Sequence, residues 1–184
     1  TSLGYTVLPF NNLSATASLS NGVSCFGDSN GAVSLNVSGY TGAYSYSVLN
    51  GALVVTSGAG NTAVNPIVIS GLPAGTFTIL VTETASPFCN ITTGTVTVTT
   101  PAAPLALSII SNVNANCNSG AQVQVQATGG TPNYTYAFVQ TGFVPVALDY
   151  TNSNSATLDP AINTSWDVYV LDANGCSTFT TVSI

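Results

Sequence analysis

One unit is written twice in this chain. Val33-Ser34-Leu35-Asn36-Val37 returns as Val123-Gln124-Val125-Gln126-Ala127, 90 residues later. The same offset of 90 aligns Gly39-Tyr40-Thr41-Gly42-Ala43-Tyr44-Ser45-Tyr46 with Gly129-Gly130-Thr131-Pro132-Asn133-Tyr134-Thr135-Tyr136. Phe77-Thr78-Ile79-Leu80-Val81-Thr82-Glu83 aligns with Trp166-Asp167-Val168-Tyr169-Val170-Leu171-Asp172 at an offset of 89. Each copy has one cysteine before the first block and one after the last: Cys25 and Cys89, then Cys117 and Cys176. Similarity in fixed order marks tandem copies of one structural unit, and 184 residues suffice for two domains of ordinary size. The reading is a first repeat at 14–100, a stiff connector Pro101-Ala102-Ala103-Pro104, and a second repeat at 105–184. Residues 1–13 form an N-terminal extension.

Both copies read as β structure. Val33/Leu35/Val37, Tyr44/Tyr46/Val48, Phe77/Ile79/Val81 and Val96/Val98 alternate with polar residues, the two-residue period of strands that bury one face. β-Branched residues are abundant and no segment sustains helical spacing. Turn signals break the pattern at Asn21-Gly22, Asn30-Gly31, Asn50-Gly51, Pro73-Ala74-Gly75, Gly129-Gly130 and Asn174-Gly175. Strands are expected near 14–19, 32–38, 43–49, 52–56, 64–70, 76–84 and 92–100 in copy one. In copy two they are expected near 105–111, 121–127, 134–140, 143–148, 155–158, 166–172 and 177–184. The fold expected is all-β: two tandem immunoglobulin-like β-sandwich domains of about seven strands each.

The composition removes most chemistry. The chain has no Lys, Arg, His or Met, and its charged residues are six acids: Asp28, Glu83, Asp149, Asp159, Asp167 and Asp172. Without cations it cannot neutralise phosphates, so nucleic-acid binding is excluded. Histidine bases, Ser-His-Asp and Cys-His nucleophiles, Schiff-base lysines and phosphate-cradling lysines are all absent. Lysine–asparagine isopeptide cross-links are impossible for the same reason. The expectation is a non-enzyme with no cofactor and no metal. Hydroxyls and amides carry solubility instead, since Thr (26), Ser (21) and Asn (18) make up 65 of the 184 residues. No apolar run approaches the length of a membrane span, so no membrane insertion is expected. Thr1 opens no signal-peptide pattern, so an export signal is expected to be lost on maturation or to lie upstream.

The remaining candidate sites weigh little. The sequons at Asn12, Asn36, Asn90, Asn133 and Asn163 match chance in so Ser/Thr-rich a chain. Asp159, Asp167 and Asp172 lack a D-x-D-x-D calcium loop. Tyr44, Tyr46, Tyr134, Tyr136 and Trp166 offer a sugar-stacking platform, but alternation assigns most of them to the inner face. Copy one has only Asp28 and Glu83 as a carboxylate pair for glycoside hydrolysis, with no sign that they converge.

Cys25-Phe26-Gly27-Asp28-Ser29-Asn30-Gly31-Ala32-Val33 resembles the opening of the SprB-type repeat family. So do the Tyr44-Ser45-Tyr46 and Tyr134-Thr135-Tyr136 pairs, Gly71-Leu72-Pro73-Ala74-Gly75-Thr76-Phe77, and Val170-Leu171-Asp172-Ala173-Asn174-Gly175-Cys176. Copy two lacks the Phe-Gly after Cys117, and copy one ends in Glu83-Thr84-Ala85-Ser86-Pro87-Phe88-Cys89 instead. The resemblance spans roughly residues 14–184. It implies tandem Ig-like repeats of exported surface proteins of gliding Bacteroidota. The function expected is therefore a secreted structural or adhesive protein, forming a filament or adhesin stalk on the bacterial surface. Its partners would be copies of itself and surface glycans. The alternative is a carbohydrate-binding module pair of an exported enzyme.

Two expectations concern assembly. Leu3, Tyr5 and Val7 alternate like a strand, so residues 1–10 are candidates for packing on a neighbouring subunit by β-addition, the alternative being a plain linker. The four cysteines of an exported chain should form disulfides. Pairing within each copy, Cys25–Cys89 and Cys117–Cys176, follows the repeat. The strand directions of a sandwich instead put Cys25 and Cys89 at opposite ends, roughly 20 Å apart, beyond disulfide reach. That geometry favours Cys25–Cys176 and leaves Cys89 and Cys117 for neighbouring subunits.

Overall fold

The computed structural model describes residues 12–86 and 88–184. Leu3, Tyr5 and Val7, with the expected intersubunit strand, lie outside the described residues. The contacts divide the chain into two units. One takes the described residues up to Val23 together with those of Ser29–Thr99, and the other takes Ser24–Asp28 and Thr100–Ile184.

The first unit runs β1 (Ser14–Asn21), β2 (Gly31–Ser38), β3 (Ala43–Asn50), β4 (Leu53–Asn61), β5 (Ile67–Leu72), β6 (Gly75–Glu83), β7 (Asn90–Thr92) and β8 (Val96–Val98). β2 lies between β1 and β5 in one sheet; the other has the order β4-β3-β6-β7, with β8 also on β6. Every pairing is antiparallel. The period of two decides which residues meet. Val33, Leu35 and Val37 of β2 join Tyr44 and Val48 of β3 and Phe77, Ile79 and Val81 of β6 in one apolar cluster. Each such side chain contributes about 1.5–3 kcal/mol by leaving water, so two sheets close face to face as an Ig-like sandwich.

The second unit repeats the plan with β9 (Ala106–Val113), β10 (Ala121–Thr128), β11 (Thr135–Gln140), β12 (Ser155–Leu158), β13 (Ser165–Leu171) and β14 (Ser177–Ser183). The sheets are β12-β10-β9 and β11-β13-β14. Val123, Val125, Tyr136, Leu158, Val168, Val170 and Val182 form their common core. Among the described residues there is no α-helix, and no helix long and apolar enough to cross a membrane.

Three strand expectations are corrected. Residues 143–148 are not a strand: the chain turns after β11 through Phe143 N–H to Gln140 C=O and ends in a 3-10 turn, Ala147–Asp149. Pro145 supplies no ladder donor. Phe143, Val144, Val146 and Leu148 are all exposed, so there was never one buried face. The strand expected at 92–100 is broken into β7 and β8, because Thr93 and Gly94 bulge between them. The buried Thr93 hydroxyl accepts the Ile79 N–H at 3.0 Å and donates to the Gly94 carbonyl, replacing the missing ladder partner. Finally, β4 runs well beyond the expected 56, through glycines that disfavour strands. In the register Tyr44 opposes Gly60 and Tyr46 opposes Gly58. Each phenol lies where a side chain on its glycine would stand, so the rings cover the glycines and hold the strand.

Two measurements test this account. Thr93→Val keeps the shape but strips the buried Ile79 amide of its acceptor, and should cost about 1–3 kcal/mol in urea unfolding. The Tyr44 phenol is held above the ordinary tyrosine value by burial first, then by Tyr40 and Tyr46. Burial first, then Tyr169 and Asp149, do the same for Tyr150. Unfolded tyrosines ionise near 10, so above that pH the folded chain holds protons that the unfolded chain has released. Stability should therefore fall as pH rises above about 10. The Tyr44 hydroxyl is buried without a hydrogen-bond partner among the described residues, so Tyr44→Phe should remove one late phenolate from an ultraviolet titration and flatten the alkaline loss.

Candidate functional site

The cysteine-bearing loops are where this chain departs from plain sandwich. Cys25 and Cys176 are joined, with S–S 2.09 Å and Cα–Cα 5.7 Å. Cys25 follows β1 in sequence, yet its segment Ser24–Asp28 packs as part of the second unit. Cys176 ends the turn that follows β13.

That turn is built by one carboxylate. Asp172 Oδ1 accepts the N–H groups of Asn174 and Cys176, both at 2.9 Å, and Oδ2 accepts that of Thr131 at 2.8 Å. The Asp172 N–H donates to the Cys176 carbonyl at 3.0 Å. Gly175 has φ +81°, a backbone that side-chain-bearing residues rarely adopt. Gly130 leaves room for the carboxylate, because a Cβ there would stand 2.6 Å from Asp172 Oδ2. Asn174 Nδ2 then reaches the Ser24 carbonyl and the Thr131 hydroxyl, each at 3.0 Å. Asp172 caps, Asn174 reaches, Gly175 turns and Cys176 bonds, while the Ala173 N–H donates to the Thr131 carbonyl at 3.1 Å.

Repeat one frames its cysteine with the same pair of hydrogen bonds, across a loop two residues longer. The Glu83 N–H donates to the Cys89 carbonyl at 2.9 Å, and the Cys89 N–H to Glu83 Oε2 at 3.3 Å. Phe88, directly before the cysteine, has φ +59°, the left-handed backbone that Gly175 supplies in repeat two. Cys89 is a partly exposed free thiol. Cys117 is an exposed free thiol after β9, as Cys25 follows β1. It sits at the tip of a tight turn closed by Asn116 and Ser119, which exchange backbone hydrogen bonds at 2.9 and 3.3 Å. It also lines an open cleft of about 460 Å³ with Asn116, Asn118, Thr157 and Asp159.

The other candidates disperse. Asp167 Oδ1 accepts the Thr181 hydroxyl at 2.7 Å and its Oδ2 the Gly142 N–H at 3.1 Å, pinning β13 to its neighbours. Asp159 Oδ1 caps the Ala161 N–H at 2.8 Å. Asp159, Asp167 and Asp172 are thus spent on separate turns, and no three potential metal ligands cluster among the described residues. Tyr44 and Tyr136 are buried in the two cores, against which Tyr46, Tyr134 and Trp166 pack half-buried. The sequence motifs marked Asp172 and Cys176, whereas the roles of Thr131 and Gly130 were hidden because their partner lies 41 residues away for Thr131.

Comparison with known proteins gives three findings. Residues 16–53, from β1 to the first residue of β4, match the family model of the SprB repeat. The fibronectin(III)-like modules of Clostridium thermocellum CbhA are similar at 14% identity, over 92% of this chain and 93% of that one, with a TM-score of 0.37. No curated protein matches.

Asp172→Ala would leave three N–H groups without their acceptor and should cost about 3 kcal/mol in urea unfolding. It should also make the Cys25–Cys176 bond reduce faster under dithiothreitol. Asp172→Asn, which keeps an acceptor oxygen, should fall between the two.

Proposed function

We propose that this chain is a non-enzymatic, extracellular structural protein whose tandem Ig-like repeats build part of an adhesive filament or stalk on a bacterial surface. The SprB-repeat match over residues 16–53 carries the reading. The Cys25–Cys176 disulfide supports it, since disulfides persist in oxidising, exported settings. The mechanism is mechanical. Sandwiches in series hold a binding element away from the cell, and a surface of hydroxyls and amides resists charge-driven contacts. With no Lys or Arg in the chain, trypsin-like proteases have no bond to cut even when a unit opens. Copies of the chain are its first partners, and surface glycans its second.

The alternative, a carbohydrate-binding pair, draws on one observation. Tyr169 and Phe179 stack at 4.9 Å with planes 21° apart, and Phe179 is 53% exposed. Exposed aromatic faces of this kind suit sugar rings.

Antibodies to the chain should label intact cells of the producing bacterium without permeabilisation, and shearing should release the antigen. Labelling only after permeabilisation would overturn the surface reading. On a glycan array, saturable binding lost in Phe179→Ala would move the assignment to the carbohydrate-binding alternative.

A further inference from the structure

We infer that copies of this chain join head to tail through a disulfide between Cys117 of one copy and Cys89 of the next. The inference rests on the surface reading above, because it requires an oxidising compartment. Its template lies within the chain. A cysteine that follows the first strand of one repeat is already bonded to a cysteine that ends the post-β13 turn of the other, in the Cys25–Cys176 bond. Cys117 holds the first of these positions in repeat two, and Cys89 holds the second in repeat one.

The equivalence goes beyond sequence spacing. Cys89 and Cys176 share the same frame: an acidic residue whose N–H binds the cysteine carbonyl and whose carboxylate accepts the cysteine N–H. Both also follow a residue at positive φ, Phe88 and Gly175. Phe88 holds that conformation against the ordinary preference of a bulky side chain, so the positive φ before the cysteine is kept where the glycine is lost. Cys25 and Cys117 each lie in a short turn, Cys25 at the first position where Asp28 N–H meets Cys25 C=O and Cys117 at the second where Ser119 N–H meets Asn116 C=O. Both follow the first strand of their repeat and precede a glycine, Gly31 as the first residue of β2 and Gly120 directly before β10. A free Cys117 and a free Cys89 are thus one donor and one acceptor position of a linkage that the chain has already made once. A heterologous contact of this kind propagates as a filament unless its rotation closes a ring.

The chemistry balances with an external disulfide as oxidant, either a small-molecule disulfide or a protein thiol oxidase. The Cys117 thiolate attacks the oxidant's S–S bond and expels one thiolate, leaving a mixed disulfide. The Cys89 thiolate of the next copy then attacks the Cys117 sulfur and expels the second. One S–S bond forms, the two thiols lose their protons, and the oxidant takes two electrons as two thiols.

The test uses the purified 184-residue chain in oxidised and reduced glutathione, read by non-reducing electrophoresis and by mass spectrometry of chymotryptic peptides. The wild type should give a ladder of multimers that dithiothreitol collapses, with a Cys117–Cys89 linked peptide. Cys89→Ser and Cys117→Ser should each lose every species above monomer while keeping the Cys25–Cys176 peptide, which reports that they fold. Mixing the two variants should yield a heterodimer and stop there. No ladder in the wild type, a ladder that survives either variant, peptides linking Cys89 to Cys89 or Cys117 to Cys117, or a Cys117–Cys89 peptide confined to the monomer band would overturn the inference. Because the assay is run on purified protein, it stands apart from the cell-labelling result. A ladder with an intracellular antigen would sink the surface reading alone, and labelled cells with no ladder would sink the linkage alone.

Discussion

Burial of the inward faces of β2 and β6, and of β10 and β13, is the interaction on which everything else depends. A chain with six charged side chains in 184 residues has almost no ion pairs to draw on. Its stability must come from apolar area and backbone hydrogen bonds. Strict alternation delivers both at once, because it pairs every second side chain with a core while the backbone saturates its ladder. The two central strands of each sandwich carry fully buried residues such as Leu35, Phe77, Ile79, Val125 and Val168.

The scarcity of charge also explains how the carboxylates are used. Glu83, Asp167 and Asp172 are buried, in a chain with no cationic side chain to pair with them. A buried carboxylate without a counter-ion is tolerable only if N–H and O–H groups surround it. All three obey: Asp172 gathers three amides, Asp167 an amide and hydroxyls, and Glu83 the Cys89 amide. Two of them, Glu83 and Asp172, fix the turns that present Cys89 and Cys176. Electrostatic necessity and the position of the thiols therefore have one structural cause.

The two units are variations on this plan, and the differences lie where alternation ends. In the first unit β4 extends the sheet because tyrosine rings cover its glycines. In the second the corresponding stretch carries Pro145 and leaves Phe143, Val144, Val146 and Leu148 in solvent. There β11 keeps only an isolated bridge, Tyr136 to Thr151, along that edge. The first unit splits its last strand around Thr93, and the second pairs β14 with β13 along its whole length. Both domains keep a buried centre through these changes, since Val96 and Val98 of β8 and Val182 of β14 still reach their cores.

Much of this was legible in the sequence. The repeat, the all-β class, the core at Val33/Leu35/Val37 and Phe77/Ile79/Val81, and the importance of four regularly placed cysteines all follow from spacing. Spacing is a local property, and the side-chain period of a strand is local too. What needed the tertiary structure were features made by residues distant in sequence. Gly58 and Gly60 read as breakers until Tyr46 and Tyr44 lay across them from the neighbouring strand. Thr93 reads as an ordinary strand residue until its hydroxyl meets the Ile79 amide. Ser24–Asp28 reads as part of the first repeat, but its disulfide and the Asn174 hydrogen bond place it with the second unit. Alternation written in the sequence settles which face of a strand is buried. Which strand lies opposite, and which thiol finds a partner, depends on contacts that only the folded chain brings together.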